Sequence, residues 1–356
     1  MDETTSTPAD STPVTGVPPG VSSLPSLEGC MADVSANATS GIDALGALSG
    51  SLQHSCPELA AILQSSAVRT NLDIYKRQNA EAVRQQASLM QEATWANICL
   101  MAAGVASGLV LAITAQSPTP QYAALVGNMT LGLGIVTLAL GAAGTFFGYL
   151  ARDQGRISRW QARRGEAEIA RLAVFTTIGG KAAEAGPAVA LHGFALIVCH
   201  LLNDQRNWLG ARALRHRKSS ETTSRWGGLA NALAFIGGSG AIIASQEKGS
   251  VWIVFAGVLG AAIAAYATNR DALLRDRANA DRYEKAQVAL DSLAGRTDEV
   301  AAQIAAGEPK ALVAFTDAVT DLLSTEHKQW LEGTAQAEAL LGKLDAQLKQ
   351  LTEKKT

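Results

Sequence analysis

The chain has 356 residues, of which 47% are hydrophobic and only 17% charged, and its formal net charge is −2 at pH 7. This length allows more than one folding unit, and the near-neutral charge excludes the overall basic surface of a typical nucleic-acid-binding protein. Cysteines stand singly at Cys30, Cys56, Cys99 and Cys199, so their spacing suggests neither a zinc site nor a disulfide framework.

The first element in chain order, residues 1–57, is predicted to be a disordered or weakly ordered segment. Its start, Met1–Gly29, is rich in Ser, Thr, Pro and acidic residues, and it lacks the basic and apolar regions of a signal peptide. Such a composition buries too little apolar surface to offset the conformational entropy lost on ordering.

Four uncharged, apolar stretches follow, at about 95–115, 122–150, 227–245 and 250–268. A helix needs about 20 mostly apolar residues to cross the hydrocarbon core of a bilayer, and each stretch is about that long or longer. The joints Gln116–Gln121 and Gln246–Gly249 are short, which predicts two transmembrane hairpins. We expect an all-α integral membrane protein with a cytoplasmic helical bundle. Charge-free stretches of this length disfavour the alternative, buried core helices of a soluble protein.

Basic residues flank the hairpins on one side and set the predicted orientation. They are Arg152, Arg156, Arg159, Arg163 and Arg164 after the second span, Arg206, Arg212, Arg215, Arg217, Lys218 and Arg225 before the third, and Arg270, Arg275 and Arg277 after the fourth. Lys and Arg are retained on the cytoplasmic side, so both termini are expected in the cytoplasm and the protein in the cell inner membrane, as a multi-pass protein. Trp95, Tyr149, Trp226 and Tyr266 stand at span ends, where amphipathic rings favour the interface.

A fifth apolar stretch, Ala185–Leu202, competes with this topology. It is short, it contains Pro187, His192 and His200, and as a span it would place one basic flank on the wrong side. We therefore predict a cytoplasmic helix, more buried than its polar counterpart in the second half.

The two halves resemble each other, which predicts a first repeat at 58–210 and a second at 211–356. Trp95 opens the first hairpin and Trp226 the second. Beyond the hairpins Arg152, Asp153, Arg159, Arg164, Glu166 and Leu172 correspond at a constant offset to Arg270, Asp271, Arg277, Arg282, Glu284 and Leu290. Chance similarity between amphipathic helices is the alternative.

The charged segments after the spans are predicted to be helical. Arg270–Leu293 contains no Gly or Pro and is expected to continue straight out of its span. Thr334–Leu351 carries leucines at a spacing typical of a coiled-coil seam, but over a length that is marginal alone. We expect it to pack within the bundle or at an oligomer interface.

No residue pattern predicts catalysis. Gly179-Gly180-Lys181 lacks the earlier glycine and the following Ser or Thr of a phosphate-binding loop. His192 and His200 lack a third ligand for a metal ion, so a partly buried structural role is favoured. We therefore predict no enzyme activity, no metal site and no cofactor.

The spans carry small and polar residues that predict two kinds of role. Glycines at helical spacing allow close helix packing; they are Gly104, Gly108, Gly144, Gly148, Gly257 and Gly260. Candidates for lining a pore are Asn97, Asn128, Thr130, Thr137 and Ser239, although the same residues also suit helix contacts. The spans hold no acidic or basic residue, which argues against proton-coupled transport.

A two-span hairpin with basic flanks, a long charged helix and a closing Glu-His-x-x-Trp helix resembles the SLATT domain. That two-transmembrane effector domain is associated with SMODS nucleotidyltransferases and SLOG domains in bacteria. The residues that carry the resemblance are Trp95, Arg152, Arg159-Trp160, Arg164 and Asp204–Trp208 in the first copy, and Trp226, Arg270, Arg277, Arg282-Tyr283 and Thr325–Trp330 in the second. The resemblance covers about residues 70–333 as tandem copies, which departs from the usual single form, and the first copy lacks the Glu-His pair.

The resemblance implies a membrane effector of nucleotide-signalled antiviral defence that forms homo-oligomers and opens a pore or disrupts the bilayer. Its partners would be the lipid bilayer and a cyclic nucleotide or a nucleotide-sensing protein, and not nucleic acid. The residues that would meet the phosphates of such a trigger, or lipid headgroups instead, are Arg159, Arg163, Arg164, Arg212 and Arg215. The alternative function is a non-conducting membrane anchor or scaffold that recruits a partner through its cytoplasmic helices.

Overall fold

The structure is a computed structural model that describes residues 24–35, 41–115, 120–151, 153–244, 251–329 and 332. Within these ranges the side chains of 115, 154, 238–244, 251, 252, 272 and 273 are left out. Every regular element of the described part of the chain is helical. The predicted coiled-coil seam Thr334–Leu351 lies outside the described residues.

Twelve α-helices follow one another in the described part of the chain, and the fourth and the eighth are the longest of these. They are α1 Leu27–Ser35, α2 Leu45–Ser55, α3 Pro57–Gln64, α4 Ser66–Ala115, α5 Ala123–Ala151, α6 Gln154–Glu184, α7 Pro187–Ile197, α8 Asp204–Ala244, α9 Val251–Leu274, α10 Asp276–Ala294, α11 Thr297–Ala305 and α12, residues 310–329. A π-helical segment, Val198–Asn203, joins α7 to α8 without a break.

Four helical stretches are long and apolar enough to cross a membrane: Ser66–Thr114, Pro120–Ala151, Pro187–Gly237 and Ile253–Ala305. The apolar ends of α4, α5, α8 and α9 lie side by side, since α5 packs on α4, α4 on α9, and α9 on α8. The most apolar window of the α5 stretch contains no buried residue. The helices therefore form an open row in the order α5, α4, α9, α8, and we call it the apolar row.

The predicted disorder of residues 1–57 is wrong for the described parts, 24–35 and 41–57. Helices α1 and α2 pack into the core, where Cys30, Val34, Leu48 and Leu52 are fully buried. Leucines spaced three and four apart place an apolar stripe on one face of α2. Burial of that stripe stabilises the helix more than the Ser- and Gly-rich composition of the segment destabilises it. Residues 1–23 and 36–40 lie outside the described residues.

Two histidines hold α1 against the core. The carbonyl oxygen of Val34 accepts from Nε2 of His200 over 3.0 Å, and Nε2 of His192 lies 3.3 Å from Oδ2 of Asp33. In the described residues no group of three or more metal-ligating side chains occurs. The two histidines therefore serve packing between α1 and the helix that starts at Pro187.

The stretch 185–202 lies at the centre of the bundle. Every residue of Val189–Ile197 is buried, against α1, α6 and α11 among others. Within Pro187–Gly237 the most apolar window is 72% buried, compared with 33%, 0% and 17% for the other three stretches. Its apolar character is therefore explained by burial in protein.

The two halves share one core. The principal apolar cluster extends from Cys30 in α1 to Leu323 in α12. The predicted boundary between the repeats, at 210–211, falls inside α8. Neither half of the bundle is packed as a separate unit.

The expectation that Arg270–Leu293 forms one straight helix is wrong. Arg275 adopts a left-handed conformation, with φ 46° and ψ 41°, and separates α9 from α10. The next residue, Asp276, is buried, and its carboxylate accepts from Nδ1 of His216 over 2.6 Å and from Oγ of Ser219 over 2.5 Å. Contacts with α8 thus anchor the start of α10 and hold the break.

The glycines predicted to serve helix packing lie at the contacts of the apolar row. A Cβ added to Gly108 would lie 2.7 Å from Val258 of α9, and one added to Gly144 would lie 2.8 Å from Leu100 of α4. A Cβ added to Gly104 would face Ala262, one added to Gly148 would face Ala96, and one added to Gly260 would face Ala230 and Ala234. Gly257 lies against Gly237, because a Cβ added to Gly237 would lie 2.0 Å from Cα of Gly257. Small residues thus let the backbones of neighbouring helices approach closely.

We expect Gly260→Ala to destabilise the protein by about 1–3 kcal/mol, because overpacking forces backbone shifts. The added Cβ would lie 2.5 Å from the backbone nitrogen of Ala234, which has no flexible end to move. The measurement is the Tm in detergent. Gly134→Ala is the matched control, since a Cβ there meets nothing within 4 Å. Equal Tm values for the two variants would contradict the packing assigned to Gly260.

Candidate functional site: a charged pocket in the bundle

Five helices, α4, α6, α8, α10 and α12, converge on a cavity of about 370 Å³, which we call the bundle pocket. This volume lies within the usual range of small-ligand sites. The lining residues are Tyr75, Asn79, Val83 and Gln86 from α4, Trp160, Arg164, Glu168 and Arg171 from α6, Asp204, Gln205, Trp208, Leu209 and Arg212 from α8, Tyr283 from α10, and Leu323, Glu326 and His327 from α12.

The helical repeat explains why these side chains meet. Trp160, Arg164, Glu168 and Arg171 are spaced four, four and three apart, so they lie on one face of α6. The neighbouring face of α6 carries the core residue Val174. Polar residues thus face the pocket while apolar ones fill the core.

The most buried charges in the pocket are those of Glu168 and Arg171. They form a direct ion pair, and their side chains are only 11% and 12% exposed. Burial alone would raise the pKa of Glu168, but the adjacent Arg171 guanidinium outweighs it and holds that pKa below its usual value. Glu168 is therefore a carboxylate at neutral pH.

A second buried pair joins Glu326, which lines the pocket, to Arg282 of α10. Nε of Arg282 donates to Oε1 of Glu326 over 3.1 Å. Burial raises the pKa of Glu326, although Arg282 opposes the shift. Burial also lowers the pKa of the neighbouring His327, so that this imidazole is neutral at pH 7.

Aromatic rings form the third component of the pocket. The rings of Trp208 and Tyr283 meet edge to face, with centroids 5.6 Å apart. The guanidinium of Arg212 lies 5.2 Å from the Trp208 ring centre, and that of Arg282 lies 4.8 Å from the Tyr283 ring centre. Such cation–π contacts hold planar groups parallel to planar surfaces.

Two buried arginine donors remain unsatisfied among the described residues, Nε of Arg171 and Nη2 of Arg282. An unpaired buried donor costs about 1–3 kcal/mol, so proteins usually satisfy it with water or a ligand. The two donors belong to the arginines of the two buried ion pairs. Arg171 lines the pocket, whereas Arg282 lies behind its pocket-lining partner Glu326, so the pocket itself contains one such donor.

The five arginines proposed to meet a trigger are distributed over several sites. Arg164 and Arg212 both line the bundle pocket. Arg163 lies outside it and donates to Gln78 over 3.0 Å and to Glu166 over 3.3 Å. Arg159 lines a separate cavity between α4 and α6, and Arg215 lines another between α8 and α9.

The candidate pore-lining residues do not share a surface. Thr130 and Thr137 are partly buried on α5, and each donates to a carbonyl of its own helix over 2.8 Å. Asn128 lies exposed on another face of α5, and Asn97 is half-buried on α4. The side chain of Ser239 lies outside the described residues. Within a single chain the four candidates whose side chains are described therefore line no common channel.

The sequence pattern missed the buried pair, although it contained a signal. Glu168 and Arg171 interrupt a segment of α6 that also carries the buried residues Ala167, Ala170 and Val174. Charged residues beside buried apolar ones indicate paired charges inside the protein. Several residues that carry the resemblance to the SLATT domain, by contrast, do meet at the pocket: Trp160, Arg164, Trp208, Tyr283, Glu326 and His327.

The lining combines arginines and carboxylates with aromatic rings. Arginine donors beside aromatic rings suit a planar group that carries an anion. The chain matches no protein-family model, no curated protein and no solved structure.

We expect Glu168→Gln to lower the free energy of unfolding by about 3–5 kcal/mol, because it leaves the buried Arg171 charge without a partner. The measurement is thermal or denaturant unfolding of the full chain. Glu166→Gln is the matched control, since Arg163 and Glu166 form an ion pair at the same spacing on α6 but are 45% and 50% exposed. We expect Glu166→Gln to lower the free energy of unfolding by only about 0.2–1 kcal/mol, because its ion pair is exposed to solvent.

A pH series distinguishes loss of the Glu168–Arg171 ion pair from a general packing defect as the cause of destabilisation in Glu168→Gln. The lowered pKa of Glu168 means that its contribution to stability is present above the ordinary carboxyl pKa and is lost as pH falls through the folded-state pKa. The difference between wild type and Glu168→Gln should therefore shrink in acid. A difference that stays constant down to the lowest pH at which the protein is folded would contradict the electrostatic assignment.

Proposed function

We propose that the protein is a membrane effector in which a ligand in the bundle pocket changes the packing of the apolar row and permeabilises the bilayer. The observation that carries the proposal is the continuity of α4 and α8. Each is one unbroken helix that has residues in the bundle pocket at one end and in the apolar row at the other.

The exposed side chains of the row support its placement in a membrane. Leu131 and Leu138 of α5 are 66% and 77% exposed, and Phe235 of α8 is 75% exposed. Contiguous exposed apolar surface of this kind is typical of contact with lipid or with another subunit. The basic flanks favour a cytoplasmic bundle, with both termini on that side.

The length of α4 supports mechanical coupling. The helix has 50 residues, which corresponds to about 75 Å at the usual rise per residue. It carries Tyr75 and Asn79 in the pocket, and Gly104 and Gly108 against α9. A rigid helix transmits a displacement at one end to the other, so a ligand that moves Tyr75 would also move the α4–α9 contact.

The joint at the start of α8 supports a change of shape at the pocket. The π-helical segment Val198–Asn203 directly precedes Asp204 and Trp208, which line the pocket. A π-helical turn places one extra residue in the helical ladder and is frequent at functional sites. Loss or gain of that turn would rotate α8 relative to α7.

The open form of the row supports assembly from several copies. Four helices in a row enclose no channel, so a pore would require a second copy against the edge formed by α5. Gly127, Gly134 and Gly141 of α5 have no neighbour within 4 Å of an added Cβ, which leaves room for a close helix contact. We therefore propose a homo-oligomer.

A nucleotide suits the trigger best. Trp208 and Tyr283 offer stacking surfaces for a base, and Arg164 and Arg212 offer donors for phosphate. The resemblance to the SLATT domain points to the same ligand class. A switch from almost fully closed to almost fully open needs about 5.5 kcal/mol of differential binding, which several arginine–phosphate contacts can supply.

We expect dye release from liposomes that contain the purified protein, and only with one member of a panel of cyclic oligonucleotides. The double variant Arg164→Gln/Arg212→Gln should raise the nucleotide concentration for half-maximal release at least about 100-fold, since hydrogen bonds to charged groups contribute about 1.5–3 kcal/mol each. Arg163→Gln is the control on the same helix but outside the pocket, and it should shift that concentration less than about threefold.

The dye-release results distinguish a membrane-permeabilising effector from a non-conducting anchor. No release under any condition, with insertion shown by resistance to alkaline carbonate extraction, would favour the non-conducting anchor or scaffold. Release that Arg163→Gln and the double variant alter equally would place the trigger outside the bundle pocket.

A further inference from the structure

A second cavity, of about 610 Å³, lies where α8, α9 and α4 meet. We call it the basic cavity. Its lining residues are Arg215, Lys218, Ser219, Thr222, Thr223 and Trp226 from α8, Ile263, Tyr266, Ala267 and Arg270 from α9, and Met101 from α4. The residues of α8 recur three or four apart, so a single face of that helix forms one wall.

The charges of the basic cavity are uncompensated. Arg215, Lys218 and Arg270 line it, and no carboxylate does. Within the part of the chain that the structure describes, none of the three forms an ion pair. The bundle pocket differs, because its Arg164, Arg171 and Arg212 are balanced by Glu168, Asp204 and Glu326. The lining of the basic cavity therefore carries a net positive charge, which an anion would complement.

An acidic group beside the lining is bound to side chains of α8. Asp276 is buried, and it accepts from Ser219 over 2.5 Å and from His216 over 2.6 Å. It does not line the cavity.

The cavity changes from basic to apolar along its length. Arg215, Lys218 and Arg270 lie towards the bundle ends of their helices, whereas Met101 and Ile263 lie towards the apolar row. The rings of Trp226 and Tyr266 stand between the two ends, at the positions where such rings favour a membrane interface. This gradient matches an amphiphile with an anionic head better than a free ion.

We propose that the basic cavity binds one anionic phospholipid, with its phosphate between Arg215, Lys218 and Arg270 and its acyl chains against Met101 and Ile263. The lipid would bridge α8, α9 and α4, and so tie the two halves of the apolar row together. The inference rests on the proposed membrane insertion of these helices, but it does not depend on any ligand in the bundle pocket.

The test is native mass spectrometry of the full chain released from bilayers that contain equal amounts of phosphatidylglycerol and phosphatidylcholine with the same acyl chains. The wild type should retain phosphatidylglycerol about tenfold more often than phosphatidylcholine. The triple variant Arg215→Gln/Lys218→Gln/Arg270→Gln should lose this preference. Arg225→Gln should keep it, because Arg225 lies on the same helix one residue before Trp226 and is exposed outside the cavity.

A single substitution and a competition with inorganic phosphate complete the test. If the triple variant does not fold, Lys218→Gln alone should lower the preference about fivefold, since a basic group near a membrane surface contributes about 1 kcal/mol. Equal retention of the two lipids by the wild type, or an unchanged preference in Lys218→Gln, would overturn the proposal. Displacement of the lipid by inorganic phosphate at equal concentration would show a site for the free ion. A chain that carbonate extracts from the bilayer would instead contradict the membrane insertion itself.

Discussion

Two helices, α4 and α8, must satisfy two environments at once. One end of each lies against charged and aromatic side chains, and the other end lies in a row of apolar helices. A helix satisfies its own backbone hydrogen bonds along its whole length, so it can pass between the two environments without an unpaired group. The remaining helices are arranged around this pair, with α5 and α9 beside the apolar ends and α6, α10 and α12 beside the polar ends.

The two cavities along these helices differ in the balance of charges in their linings. In the bundle pocket, arginines face carboxylates, and the cost of burying both is offset by direct pairs such as Arg171 with Glu168. In the basic cavity, three cations stand without a carboxylate in the lining. A balanced pocket suits a ligand selected by shape, stacking and hydrogen bonds, whereas an unbalanced one selects chiefly for negative charge. One chain thus presents two chemically distinct sites on the same pair of helices.

The elements that depend on local composition were predictable from the sequence, and those that depend on tertiary contacts were not. The length of the uncharged stretches alone predicted the apolar helices. The segment of the second half that corresponds to 185–202 is polar, and this argued against a span at 185–202. The break at Arg275 had no local signal, because it depends on the contacts of Asp276 with His216 and Ser219. Two of the five arginines that the sequence indicated as candidate contacts, Arg164 and Arg212, line the bundle pocket, but their distance in the chain hid the buried charges between them.

The sequence similarity of the two halves, if it reflects the predicted duplication, offers a physical reason for the position of the bundle pocket. Arg164 and Arg282 correspond between the two halves, and the structure brings both to the same region, Arg164 in the lining and Arg282 beside Tyr283 and Glu326. Two similar halves that pack on each other through one face would bring equivalent residues together near their common axis, as in a symmetric dimer. Their partners are no longer equivalent, because Arg164 donates to Asn79 and Arg282 to Glu326. Divergence of the partners would turn a symmetric contact into one asymmetric pocket, and an asymmetric pocket can bind a single asymmetric ligand in one orientation.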